Sequence, residues 1–109
     1  MDIAAFRRGL QEPAPPPALS LALQALWWDG KGDWQRAHEC AQQQGDAAGS
    51  AVHAYLHRGE GDMPNARYWY SRAGRAEAAG ALEAEWAVLV EELLASWRPV
   101  GAKNINRTK

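Results

Sequence analysis

The sequence has a single cysteine, Cys40, and no hydrophobic run long enough to cross a membrane. One cysteine cannot form an internal disulfide, so the fold does not depend on an oxidising compartment. The longest apolar stretch, residues 18–28, is about half of the ~20 residues that a membrane span needs, and it follows prolines rather than a basic segment. We therefore predict a cytoplasmic protein with no signal peptide and no membrane contact.

An excess of charge of either sign is also missing. The 12 basic and 13 acidic residues leave a formal net charge of −1, which gives no electrostatic reason to expect nucleic acid as a partner. Phenylalanine occurs once, but six Trp and three Tyr supply large apolar side chains. A chain of 109 residues forms one domain with a thin core, so each of these aromatic side chains matters for stability.

The chain does contain an internal repeat, because residues 24–45 resemble residues 53–74, 29 positions later. Turn glycines, a helix-capping Asp and small residues at fixed positions are typical of a stacked helical hairpin. The repeat therefore predicts an architecture and no reaction. The identical pairs are Ala25/Ala54, Gly30/Gly59, Gly32/Gly61, Asp33/Asp62, Ala37/Ala66 and Gly45/Gly74.

Helical spacing of the apolar residues predicts an all-α fold of two stacked antiparallel hairpins. Residues 1–17 are predicted to be a short helix capped by Asp2 and a Pro-rich connector, residues 18–98 the repeat domain, and residues 99–109 a flexible basic tail. The predicted helices of the repeat domain are Ala18 to Gly30, Asp33 to Gly45, Asp46 to Gly59, Asp62 to Gly74, and Glu77 to Trp97, which caps the stack.

The hairpin pattern resembles tetratricopeptide and Sel1-like repeats. In each unit a large apolar pair precedes a glycine turn, Gly-Asp opens the second helix, and Ala37 or Ala66 occupies the small-residue position. The period of 29 residues differs from the 34 of a tetratricopeptide repeat. The stretch VHAYLHRGEGD, which continues into NARYWYSRAGR, is similar to a set of short uncharacterised bacterial proteins. This resemblance implies a bacterial protein and brings no activity with it.

His53 and His57 are four positions apart on a predicted helix, so both imidazoles can point to one side and share a metal ion. However, the spacing is a weak signal, and no third ligand follows at an obvious offset, since His38 belongs to another helix. We therefore predict that the two histidines line a groove or bond their neighbours, with no metal and no other cofactor. Metal binding remains an alternative.

No catalytic residue is predicted. His38 and Cys40 are two positions apart, so on a helix they point in different directions and cannot form a nucleophile–base pair. Cys40 lies on the inward stripe and is expected to be a buried structural thiol. The glycine turns before Asp33 and Asp62 do not favour phosphate, because the Asp carboxylate already occupies each helix N-terminus.

Aromatic and basic residues concentrate on the second hairpin. Adjacent residues of a helix diverge by about 100°, so the WW and YWY runs cannot be fully buried, and some rings must face solvent or a partner. We predict a non-enzymatic protein–protein interaction module that accepts a peptide or an acidic group. One alternative is a homodimer that uses the same surface, and another is a His-based metal protein or small enzyme. The predicted groove consists of Trp28, His53, His57, Arg58, Tyr68 and Arg72.

Overall fold

A computed structural model describes residues 1–97, which form six helices and no strand, so the all-α prediction is confirmed. None of these helices is long and apolar enough to cross a membrane. The predicted basic tail, residues 99–109, lies outside the described residues. The helices are α1 (Ile3–Gly9), α2 (Leu21–Gly30), α3 (Trp34–Gln42), α4 (Ala47–Gly59), α5 (Met63–Ala73) and α6 (Leu82–Ser96).

Aspartates begin the helices where the sequence predicts them. The Asp33 carboxylate accepts a hydrogen bond from the Arg36 amide at 3.0 Å, and the Asp46 carboxylate accepts one from Gly49 at 2.9 Å. Asp2 and Asp62 cap α1 and α5 in the same way. Each bond satisfies an amide that has no partner within its helix, which stabilises the fold by about 1 kcal/mol.

The turns between the two helices of each hairpin contain an equivalent backbone hydrogen bond. The Asp33 amide donates to the Trp28 carbonyl at 2.9 Å, and 29 residues later the Asp62 amide donates to the His57 carbonyl, also at 2.9 Å. The residue before each Asp has a left-handed backbone, which glycine adopts without strain. These glycines are Gly32 (φ 83°) and Gly61 (φ 86°). The sequence repeat is therefore a repeat of this turn.

Two predicted helix starts are wrong. Helix α2 begins at Leu21 rather than Ala18, because the Ser20 hydroxyl is its cap and accepts a hydrogen bond from the Leu23 amide at 3.2 Å. Helix α6 begins at Leu82 rather than Glu77. The positive φ of Gly80, 87°, interrupts any helix that would begin earlier.

Helix α4 lies at the centre of the structure. It packs against α2, α3, α5 and α6, and every residue from Gly49 to His57 is buried. The main core joins α4 to apolar side chains from α1, α2, α3 and α6. Phe6 belongs to this core, so the N-terminal helix packs against the repeat domain.

Helix α6 packs against α1, α2 and α4. The Trp86 indole Nε1 donates to the Leu26 carbonyl at 2.9 Å, which ties α6 to α2. Because α2 and α4 are the first helices of the two hairpins, α6 covers the side of the molecule where the grooves of helical repeats usually lie. This side is therefore partly covered by α6.

We expect Ala66→Leu to destabilise the protein by about 1–3 kcal/mol, because Ala66 is fully buried against Ala54 and Tyr70, where α5 crosses α4. Urea denaturation monitored by circular dichroism measures the change. Ala84→Leu, at an exposed position of α6, is the matched control and should change stability little. If Ala66→Leu changed the free energy of unfolding as little as Ala84→Leu, the crossing would tolerate a larger side chain.

Candidate functional site

Three histidines from two hairpins meet at the contact between α3 and α4. The Nε2 atoms of His38 and His53 are 2.9 Å apart, and His57 stacks beside His53 with ring centroids separated by 4.9 Å. One ring nitrogen from each of the three lies within 4.8 Å of the other two. The sequence predicts only the pair on α4, so His38 is a third histidine that the spacing along the chain does not indicate.

The spacing of the histidines on α3 and α4 explains why they come into contact. His53 and His57 are one turn apart on α4, as the sequence predicts, while Trp34 and His38 are one turn apart on α3. Both pairs therefore project from one side of their helix, and the packing of α3 on α4 brings the two sides together. The i, i+4 spacing of Trp34 and His38 is the sequence signal that could have pointed to this contact.

Two indole rings hold the imidazoles in place. Trp34 stacks on His38 with centroids 4.8 Å apart and an interplanar angle of 12°, and Trp69 of α5 stacks on His53 at 3.9 Å and 13°. The Trp34 Nε1 atom donates to the Leu56 carbonyl at 2.9 Å, which fixes this indole in turn. The cluster is therefore preorganised by packing as well as by hydrogen bonds.

A carboxylate orients His57. Its Nδ1 atom lies 2.7 Å from the Glu60 Oε2 atom, and because an ionised carboxylate only accepts, Nδ1 must carry the proton. In the neutral ring this leaves Nε2 with a lone pair, which faces the Asn65 side-chain amide at 3.4 Å. A histidine that donates to a carboxylate from one nitrogen and offers the other is the usual arrangement of a metal ligand.

Burial favours the neutral form of two of the imidazoles, His53 and His38. It lowers the pKa of His53 to about 4, and the nearby His38 and His57 add to this effect. The pKa of His38 is lowered as well, first by desolvation and then by His57. Two histidines that are unprotonated at neutral pH need not lose a charge-bearing proton before they bind a cation.

The cluster has the composition of a three-histidine metal site. Ligand nitrogens at about 2.0–2.1 Å from a tetrahedral zinc ion are about 3.3 Å from each other. The Nε2 atoms of His38 and His53 share a hydrogen bond at 2.9 Å, and the three ligand atoms lie within 4.8 Å of one another, so the value for zinc falls between these two distances. Three protein ligands leave the fourth position of the ion to water or another molecule.

The structure does not bring all six predicted groove residues together. Trp28 contacts Trp27 and stacks under the Arg36 guanidinium, on the first hairpin. Arg58 turns toward α6, where its Nη1 atom bonds Glu85 at 2.9 Å. Trp28 and Arg58 therefore already have partners within the protein. A polar or charged group that is taken out of water needs such a partner.

The other four groove residues form a connected set through Trp69, which the prediction did not include. His57 stacks on His53, His53 stacks on Trp69, and the Arg72 guanidinium lies 5.4 Å from the Trp69 ring. Arg72 also bonds the Tyr68 hydroxyl at 3.2 Å. This set runs from the buried histidines to the surface of α5.

Glu85 is a buried acidic residue of α6 that the sequence analysis does not single out. It is only 9% exposed, and it accepts hydrogen bonds from Arg58 and from the Tyr70 hydroxyl, the latter at 2.6 Å. Burial, the hydrogen bond and the charge of Glu85 raise the pKa of Tyr70. Arg58 also donates to the Gly80 carbonyl. These bonds hold α6 against the second hairpin.

The remaining sequence candidates do not form a reactive centre. Cys40 is half-buried and packs against the core, and desolvation followed by the charge of Glu39 raises the pKa of its thiol. A raised pKa disfavours the nucleophilic thiolate. Asp33 and Asp62 occupy the helix N-termini after the glycine turns, as the sequence predicts.

Comparisons with protein-family models, with curated proteins and with solved structures found no match. The function is therefore argued from the contacts of the described residues. Among these, the histidine cluster combines the most defined geometry with ligand chemistry.

We expect acid to destabilise the protein through His53. The unfolded chain has a His pKa of about 6.5, and the folded value is about 4, so the unfolded state binds the proton more tightly between these pH values. The contribution of His53 to stability is therefore complete above pH ~6.5 and is lost as the pH falls to ~4, by about 1–3 kcal/mol. Urea denaturation across this range measures it.

His53→Gln is the matched variant, since glutamine stays neutral across the range. The loss of stability on acidification should be smaller in this variant than in the wild type. An identical pH dependence in both proteins would assign the acid sensitivity to other groups.

Proposed function

We propose that the protein binds a divalent transition-metal ion of the zinc type through His38, His53 and His57. The observation that carries this proposal is the approach of three ring nitrogens, from two helices, to within 4.8 Å of one another. Imidazole ligands favour zinc, cobalt, nickel and copper over magnesium and calcium, which prefer oxygen. The site would therefore discriminate between these two groups of ions.

The surroundings of the histidines support this function. Glu60 fixes the tautomer of His57, the indoles of Trp34 and Trp69 fix the ring planes, and burial keeps His38 and His53 neutral. Because His38 comes from the first hairpin and the other two from the second, a bound ion would join the hairpins. Binding would then stabilise the folded protein by linkage.

We expect zinc at 100 times its Kd to raise the Tm of the untagged protein by about 10 °C or more, since such saturation adds about 2.7 kcal/mol to stability. Magnesium should leave the Tm unchanged. Isothermal titration calorimetry gives the Kd, and cobalt in place of zinc should produce the strong visible absorption of a tetrahedral site. A zinc-independent Tm together with absent cobalt bands would reject the proposal.

Three single substitutions at or near the histidines test where the ion binds. His38→Gln removes a ligand at a half-buried position and should abolish measurable zinc binding. Glu60→Gln removes only the carboxylate behind His57, so the affinity should fall about 10-fold or more. Glu39→Gln removes the same charge from an exposed residue beside His38 and should bind zinc as the wild type does. Equal affinity in all four proteins would place the metal elsewhere.

As a second candidate function we propose a non-enzymatic interaction module that uses the surface of α5. Tyr68 is 54% exposed, and its hydroxyl accepts a hydrogen bond from Arg72, whose guanidinium also lies over the Trp69 ring. An exposed tyrosine beside an arginine that lacks a carboxylate partner among the described residues matches the composition of binding hot spots. The expected partner is a peptide that offers an acidic side chain to Arg72.

We expect selection from a displayed random peptide library to enrich acidic peptides whose affinity falls about tenfold on Arg72→Gln, because a charge-assisted hydrogen bond contributes about 1.5–3 kcal/mol. Arg67→Gln, at an exposed position of the same helix, is the matched control. Enriched peptides whose affinity does not change on Arg72→Gln would contradict this function.

Sedimentation at two protein concentrations tests the homodimer alternative, and a dimer disrupted by Tyr68→Ser would assign this surface to self-association.

A further inference from the structure

A pocket of about 280 Å³ opens on the side of the molecule away from the histidines. Tyr55 lines it from α4, and since it is two residues from both His53 and His57 it points about 160° away from them around the helix axis. Asp29 lines the pocket from the end of α2 and Trp86 from α6. The volume is just below the roughly 300–1,000 Å³ of drug-sized sites, which suits a compact ligand.

The Asp29 carboxylate lacks a counter-charge. Its Oδ2 atom accepts a hydrogen bond from the Tyr55 hydroxyl at 2.6 Å, and no cationic side chain in residues 1–97 forms an ion pair with it. Desolvation raises its pKa, and only the Tyr55 hydroxyl opposes this. A half-buried carboxylate that is bonded only to a neutral hydroxyl is expensive to keep ionised, so a cation that enters the pocket gains an uncompensated partner.

The rest of the pocket favours a cation with an apolar body. Trp86 and Leu10 provide apolar walls, and the Trp86 ring already attracts the Arg7 guanidinium, which lies 5.2 Å from its centroid. This contact shows that the ring face accepts a positive charge. Glu83 adds a second carboxylate to the lining, so the acidic groups outnumber the single arginine. Arg7 is exposed on the surface and competes with an incoming cation for the same ring.

We propose that this pocket binds a small organic cation, a primary amine with an aromatic or aliphatic body, whose ammonium group bonds Asp29 and whose body lies against Trp86 and Leu10. Binding here is separate from the metal proposed for the histidines, because none of the three histidines lines the pocket. Arg7 acts against the ligand, as an internal cation that the ligand displaces from Trp86.

The test compares three probes with the same apolar body, which are phenethylamine, 2-phenylethanol and 3-phenylpropionate. The readout is the indole N–H resonance of Trp86 in a ¹⁵N–¹H correlation spectrum of the full chain, because this proton is fixed by its bond to the Leu26 carbonyl. We expect phenethylamine to shift it in a saturable way and the neutral and anionic analogues to bind at least about tenfold more weakly, since a hydrogen bond to a charged group contributes at least that factor.

Three variants decide whether charge recognition involves Asp29. Asp29→Asn can still accept the Tyr55 bond and should weaken phenethylamine about tenfold, whereas Arg7→Gln should strengthen it. Glu83→Gln should weaken it less than Asp29→Asn. Should Asp29→Asn fail to fold, the opposite effects of Arg7→Gln and Glu83→Gln still test the proposal. Equal binding of phenethylamine and 2-phenylethanol, no shift with either, or no change in the variants would overturn it.

Discussion

The structure depends on a constraint set by α4, which is buried on all sides from Gly49 to His57 and yet carries polar side chains in that segment. A buried polar group without a partner costs about 1–3 kcal/mol. Each one therefore determines what must lie opposite. Tyr55 bonds Asp29 of α2, His53 faces His38 of α3, and His57 bonds Glu60 just beyond its own helix.

The same constraint positions α6. Arg58 directly follows the buried segment of α4, and its guanidinium is compensated by Glu85, which also accepts a hydrogen bond from the Tyr70 hydroxyl. A buried charge pair of this kind adds little net stability but penalises any packing that separates the charges. Helix α6 therefore packs on α2 and α4 in one position and partly covers the side where a helical-repeat groove would form. The exposed aromatic residue that remains on the second hairpin, Tyr68, faces outward from α5.

Both proposed sites follow from how α4 satisfies its polar groups. On one side of α4, His53 and His57 lie beside His38. On the other side, the Tyr55 hydroxyl donates to the Asp29 carboxylate, which has no cationic partner among the described residues. In each case a buried polar group of α4 contacts a partner whose chemistry also suits a ligand, an imidazole ring for a metal ion and the Asp29 carboxylate for an ammonium group. Buried polar groups of this kind are common where proteins bind ligands.

The sequence by itself determined the local features: the all-α class, the Asp caps, the glycine turns and the 29-residue unit. These depend on backbone conformation and on neighbours within a few residues, so spacing alone reveals them. The helical pattern leaves His38 apart from His53, because it reports only which side of a helix a residue occupies. Which helices pack together, and which polar groups therefore share one buried space, is decided by non-local packing. The histidine cluster, the position of α6 and the Asp29 pocket arise at that level, and only the tertiary structure decided them.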